Sequence, residues 1–236
     1  MTHHPAADTH TATPGPPPSR VPAAGAITPR TAALGLVTSA VLLAGSAVTQ
    51  PQLTGGATEK LAAIASAGAR ADLSAVLFAV AQLPFLFGVL GVGALLRPFA
   101  RRLAGIGTGL AVAGAFGHAL FGGVSLTYLV MARESTGQAA YARLVTDIES
   151  SPVMLVSVVG LAGTVLGLLL LSIGLFRTGV GPRWVAPAMW AFLVVEFVGG
   201  ALSAYAAYVS SVLLVVTFFG LARVVLDNAR DHARDS

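Results

Sequence analysis

Apolar residues along this chain gather into blocks of about twenty, the length that crosses about 30 Å of hydrocarbon at 1.5 Å per helical residue. The blocks predict six membrane-spanning helices, near residues 31–49, 72–96, 103–131, 152–176, 184–208 and 212–226. Between them the period changes in two places. Tyr141, Leu144, Val145 and Ile148 recur at i, i+3, i+4 and i+7; Leu61, Ile64 and Ala65 start the same pattern, with Gly68 in its last position. Both stretches predict amphipathic helices lying on the outer membrane surface, the one ending at Gly68 less strongly because glycine is a poor helix former. The expected fold is all-α: a polytopic transmembrane bundle of about six spans, residues 29–227, with two surface helices.

The two amphipathic patterns lie 80 positions apart, as do Asp72 and Pro152 at the next span starts and Arg97 and Arg177 where those spans close. This offset predicts an internal repeat of span, surface helix, span and basic turn, with the last two spans as a shortened third copy. Each copy enters and leaves on one side, so the repeats would be parallel and related by an axis along the membrane normal.

Composition agrees with a lipid solvent: 55% of residues are hydrophobic and 10% charged, against about 25% charged in soluble domains. The net charge of +4 does not point to nucleic acid, because the arginines cluster beside apolar blocks rather than on one basic face. Arg20, Arg30, Arg97, Arg101, Arg102, Arg177, Arg183, Arg223, Arg230 and Arg234 fall on one side of the predicted bundle, and Lys60, Arg70, Arg133 and Arg143 on the other. The heavier side is expected to be cytoplasmic, with both termini inside and the chain in the plasma membrane. Trp184 and Phe99 are expected at the inner interface and Tyr128, Tyr205 and Tyr208 towards the outer one. The absence of cysteine excludes disulfide, thiolate and iron–sulfur chemistry. Abundant Ala, Gly and Arg, with Lys60 the single lysine, fit a GC-rich bacterial genome.

Residues 1–28, rich in Pro, Ala, Thr and His, predict a disordered cytoplasmic tail, and 228–236 a second, short one. Thr2-His3-His4 would chelate Cu(II) after loss of Met1, although a flexible polar tail explains these residues equally well. The first span alternatively reads as a secretory leader cleaved near Gly45-Ser46-Ala47, which would leave five spans.

Helices in lipid associate through close backbone approach and interhelical hydrogen bonds. Gly105, Gly109, Ala113 and Gly117 form one small-residue stripe, with Gly114, His118 and Gly122 beside it; Gly163 with Gly167, and Gly200 with Ala204, offer similar notches for neighbouring spans or for a homo- or hetero-oligomeric partner. Pro84 is expected to kink its span, Pro152 to open one and Asp72 to cap one.

Ionisable and polar groups inside spans are the candidates for chemistry, because a charge at the bilayer centre is unfavourable by at least about 2.5–3.5 kcal/mol. Glu196, the only acidic residue well inside a span, together with His118 and Gln82, is expected at mid-depth on a different repeat from each of the others. The three would converge on one ligand site, Glu196 and His118 exchanging a proton or binding the ligand. A purely structural hydrogen bond is the plainer reading of His118 and Glu196. The depth of Glu196 depends on the last turn: placed at Ser210-Ser211 it keeps Glu196 deep, whereas placed at Gly199-Gly200 it lifts Glu196 to the outer surface. No haem, phosphate-binding or zinc-hydrolase motif is present, and no cofactor or metal is expected.

The run from Gly167 through Leu175, Phe176 and Arg177 to Gly181-Pro182-Arg183-Trp184 resembles a pattern of multi-pass membrane proteins of the actinobacterial type. In these a Leu/Gly-rich span ends in Arg, and Pro-Arg-Trp opens the next. The resemblance covers the six-span region and implies a fold plan but no activity. The expected function is binding or movement of a small molecule or proton through a central polar site. One alternative is a membrane-embedded enzyme on a prenyl- or terpenoid-like substrate with Glu196 as general acid, against which stand the lack of a second buried carboxylate and an aromatic content of 7%. The other is a structural or assembly subunit.

Overall fold

The computed structural model describes residues 27–199, 203 and 205–234. These fold entirely into helices and connecting turns: α1 (Pro29–Thr49), α2 (Ala57–Ala67), α3 (Ala69–Leu96), α4 (Arg101–Arg133), α5 (Gln138–Ser150), α6 (Val153–Thr178), α7 (Val185–Phe197) and α8 (Ala206–Arg234). Five of them, α1, α3, α4, α6 and α8, are long and apolar enough to cross a membrane; α7 is as apolar but has only 13 residues. The fold is compatible with a multi-pass membrane protein.

The six apolar helices form a closed ring. In the order α1, α3, α4, α6, α7, α8 each packs on the next, and α8 returns to α1. Thr28 caps α1 by accepting a hydrogen bond from the Thr31 amide at 3.1 Å, with Pro29 in the first turn where no amide is needed. α2 and α5 sit together at one end, here the cap side; the α3–α4 and α6–α7 turns mark the other, the turn side.

The sides are built differently. On the turn side Leu36, Val89, Leu96, Leu171, Leu221 and their neighbours form a packed core with a void of only about 10 Å³, too small for more than about one water. On the cap side a second apolar cluster joins Leu61 and Ile64 of α2 to Val145 of α5 and to Tyr128 and Met131 of α4. Part of each amphipathic face is therefore buried against protein, Leu61 at 1% and Val145 at 0% exposure, while Leu144 stays exposed, and together the two helices make a lid. Gly68, whose φ of +51° suits glycine, ends α2 and starts α3 in one residue.

Small residues decide the helix contacts, but only partly along the expected stripe. A β-carbon on Gly160 of α6 would lie 2.7 Å from the Gly117 Cα of α4, and one on Gly163 2.7 Å from the Leu110 carbonyl oxygen. The packed face of α4 runs through Gly107, Ala111, Gly114 and Gly117; Gly105 and Gly109 have nothing within 4 Å, and Ala113 is exposed with them. Gly163 and Gly167 form the expected notch, while Gly200 and Ala204 lie outside the described residues.

The last hairpin departs from expectation. The fifth apolar block, expected at 184–208, is helical only to Phe197, and α8 starts at Ala206 rather than near Val212 and runs to Arg234. Nor does Asp72 cap a helix: it lies within the first turn of α3, paired with Arg133 of α4. Tyr128 is buried at 9% exposure rather than interfacial, whereas Tyr205 and Tyr208 are exposed.

Candidate functional site

A cavity of about 160 Å³ lies inside the ring and takes residues from all six apolar helices. Gln82 of α3, His118 of α4 and Glu196 of α7 all line it. At 1.5 Å per residue these three stand about 18–26 Å from the turn side, on the cap side of the middle. The packed turn-side core closes the cavity beneath, where Phe218 and Leu168 form part of its floor.

The three residues share the cavity without bonding to one another. Gln82 is 5% exposed, and its Nε2 donates to the Phe78 carbonyl one turn earlier at 2.9 Å. The His118 ring is half-buried against Phe78, with centroids 5.7 Å apart. Glu196 is exposed near the end of α7 and makes no ion pair among the described residues. The direct His118–Glu196 hydrogen bond considered from sequence is not formed, and Glu196, exposed one residue before α7 ends, stands at the rim of the cavity rather than its centre. No cluster of three His, Asp or Glu side chains that would hold a metal ion occurs among the described residues.

Three features escaped the sequence reading. Five of the eleven phenylalanines, Phe78, Phe85, Phe192, Phe197 and Phe218, surround this cavity, so low aromatic content overall does not mean an aromatic-poor site. They come from three helices, and no local spacing gathers them.

Ser46 of α1 and Ser74 of α3, both buried, form a reciprocal clamp. Each Oγ donates to the other's carbonyl at 2.9 Å, which satisfies both groups without water. Ser46 also lines a second cavity of about 280 Å³ under the lid, which shares Gln50 and Phe78 with the first.

The third feature is the closure of that upper cavity. Lys60 of α2 donates to both carboxylate oxygens of Glu149 on α5, at 2.8 and 2.9 Å, and both residues line the cavity, as does Tyr128, whose hydroxyl is buried without a partner among the described residues. Part-exposed pairs of this kind contribute about 1 kcal/mol or less. Lys60→Gln should therefore leave global unfolding nearly unchanged but loosen the lid, read as faster amide hydrogen exchange in α2 and α5 with unchanged rates in α6. Equal protection of the lid in wild type and variant would remove its role as a latch.

No protein-family model, curated protein or solved structure matches this chain.

Proposed function

We propose that this is a six-span plasma-membrane protein, both termini cytoplasmic, that binds a small molecule in the central cavity as a step in moving it or a proton across the bilayer. The observation that carries the reading is the cavity itself: every apolar helix contributes to it, and Gln82, His118 and Glu196 all reach it. In this arrangement α7 is the short fifth of six spans, the lid faces outward, and α1–α3 and α4–α6 are two copies of one unit, consistent with the matching places of α2 and α5. The turn-side arginines then face the cytoplasm. The kinship expected from the Pro182-Arg183-Trp184 turn belongs to the same proposal. A polar-rimmed cavity supports ligand binding over a purely assembly-forming subunit.

The phenylalanine lining favours a second reading, an enzyme acting on a lipid-soluble prenyl- or terpenoid-like substrate with Glu196 as general acid.

Native mass spectrometry of the gently extracted full chain beside Glu196→Gln tests the proposal. A small molecule carried by wild type and lost from the variant is the expected result. Bare spectra from both, at equal stability, would leave the cavity a packing defect.

A further inference from the structure

We infer that the central cavity takes a small organic cation of the alkylammonium class, with Glu196 as its counter-charge and the phenylalanine rings as its walls. The inference deepens the reading of this cavity as a ligand site and rests on it.

The lining has one side chain of ordinarily negative charge, Glu196, and no lysine or arginine. Its carboxylate is unpaired among the described residues and stands exposed on the rim, where an entering cation can reach it. The nearest opposite charge along the cavities, Lys60, is held by Glu149 in the upper chamber. His118 is the other titratable group of the lining, and it packs its ring on Phe78 rather than on Glu196.

Phenylalanine cannot donate or accept a conventional hydrogen bond, but its ring quadrupole attracts a cation within about 6 Å of the centroid, more strongly when water is excluded. Five rings around one small space, with a single carboxylate at its mouth, are poorly suited to an anion. Gln82 Nε2 already donates to its own helix, and a neutral ligand bonded to the remaining polar groups, such as the unpartnered Thr164 hydroxyl, would leave the Glu196 charge unanswered. An ammonium whose hydrogens are replaced by methyl groups meets both demands, apolar contact inside and charge at the rim. The volume of about 160 Å³ leaves room for a small organic cation.

The test uses the full chain in dodecylmaltoside micelles, which carry no ammonium group, and equilibrium binding of radiolabelled phenyltrimethylammonium. Choline and its uncharged isostere 3,3-dimethylbutan-1-ol serve as competitors. Saturable binding displaced by choline, but at least about tenfold less well by the isostere, is expected. Glu196→Gln should weaken binding about fivefold and Phe192→Leu about threefold, whereas Phe219→Leu, on an exposed ring, should change nothing. Circular dichroism and size-exclusion profiles matching wild type establish that each variant is folded. Equal displacement by the two competitors, or unchanged affinity in folded Glu196→Gln, overturns the cation inference. Absence of any phenyltrimethylammonium binding overturns it too, and a ligand still seen by native mass spectrometry would then leave the binding-site reading standing.

Discussion

Gly160→Ala should destabilise the protein by about 1–3 kcal/mol, although alanine is intrinsically the better helix former by about 1 kcal/mol. The added methyl would point at backbone, 2.7 Å from the Gly117 Cα and 3.0 Å from its carbonyl carbon, and backbone cannot rotate away as a side chain can. Because apolar burial does not drive helices together in lipid, loss of close approach between α4 and α6 has no hydrophobic compensation. Gly109→Ala is the matched control: nothing lies within 4 Å of its β-position, so only the propensity gain remains and stability should hold or rise slightly. Thermal unfolding of both variants in one detergent measures the difference. Equal midpoints would mean that α4 and α6 do not meet through Gly160.

Phe218→Ala should have a larger effect, about 3 kcal/mol, near the low end of the range for emptying a buried aromatic site because only contact and cavity terms remain in lipid. Phe218 is fully buried and stacks on Phe85, with centroids 6.1 Å apart and planes 15° from parallel. It forms part of the floor between the central cavity and the packed turn-side core. Its loss should therefore open the plug as well as weaken the fold. Cysteine-reactive probes will report this cleanly, since the chain has no native cysteine. Leu221→Cys, buried beneath the floor at 4% exposure, should react slowly in the wild-type background and at least several-fold faster beside Phe218→Ala. Unchanged labelling would show that the seal lies elsewhere.

The parts of this fold that were legible in the sequence are those set by one helix at a time. Tyr141, Leu144, Val145 and Ile148 repeat with the helical period whatever they pack against, and α5 forms over them. The side chains on which their apolar face rests could not be read, because Leu61 and Tyr128 come from distant segments. The same limit explains why the expected stripes on α4 are packed only in part. Glycines occur on several faces of that helix, and only the position of α6 selects the face through Gly107, Gly114 and Gly117 over the one through Gly105 and Gly109. Hydropathy could not choose between a turn at Gly199-Gly200 and one at Ser210-Ser211, since the apolar composition of 191–216 is nearly even. The convergence of Gln82, His118 and Glu196 on one cavity was legible, because rare polar residues at similar depth in separate helices of one bundle are brought to a common level. Glu196 stands at its rim because α7 ends at Phe197, nearer to the early turn weighed from sequence than to the later one at Ser210-Ser211.

The shortness of α7 has a mechanical consequence. Its 13 residues span about 20 Å at 1.5 Å per residue, against about 30 Å of hydrocarbon. In the six-span arrangement proposed above, a bilayer meeting that flank would thin, or the whole bundle would tilt, each at fractions of a kcal/mol per Å of mismatch. Acyl-chain length thus acts as a tuning parameter: shorter-chain lipids should relieve the dimple beside Glu196 and longer-chain lipids deepen it, so the wall of the ring on that side is set in height by the membrane as much as by the protein.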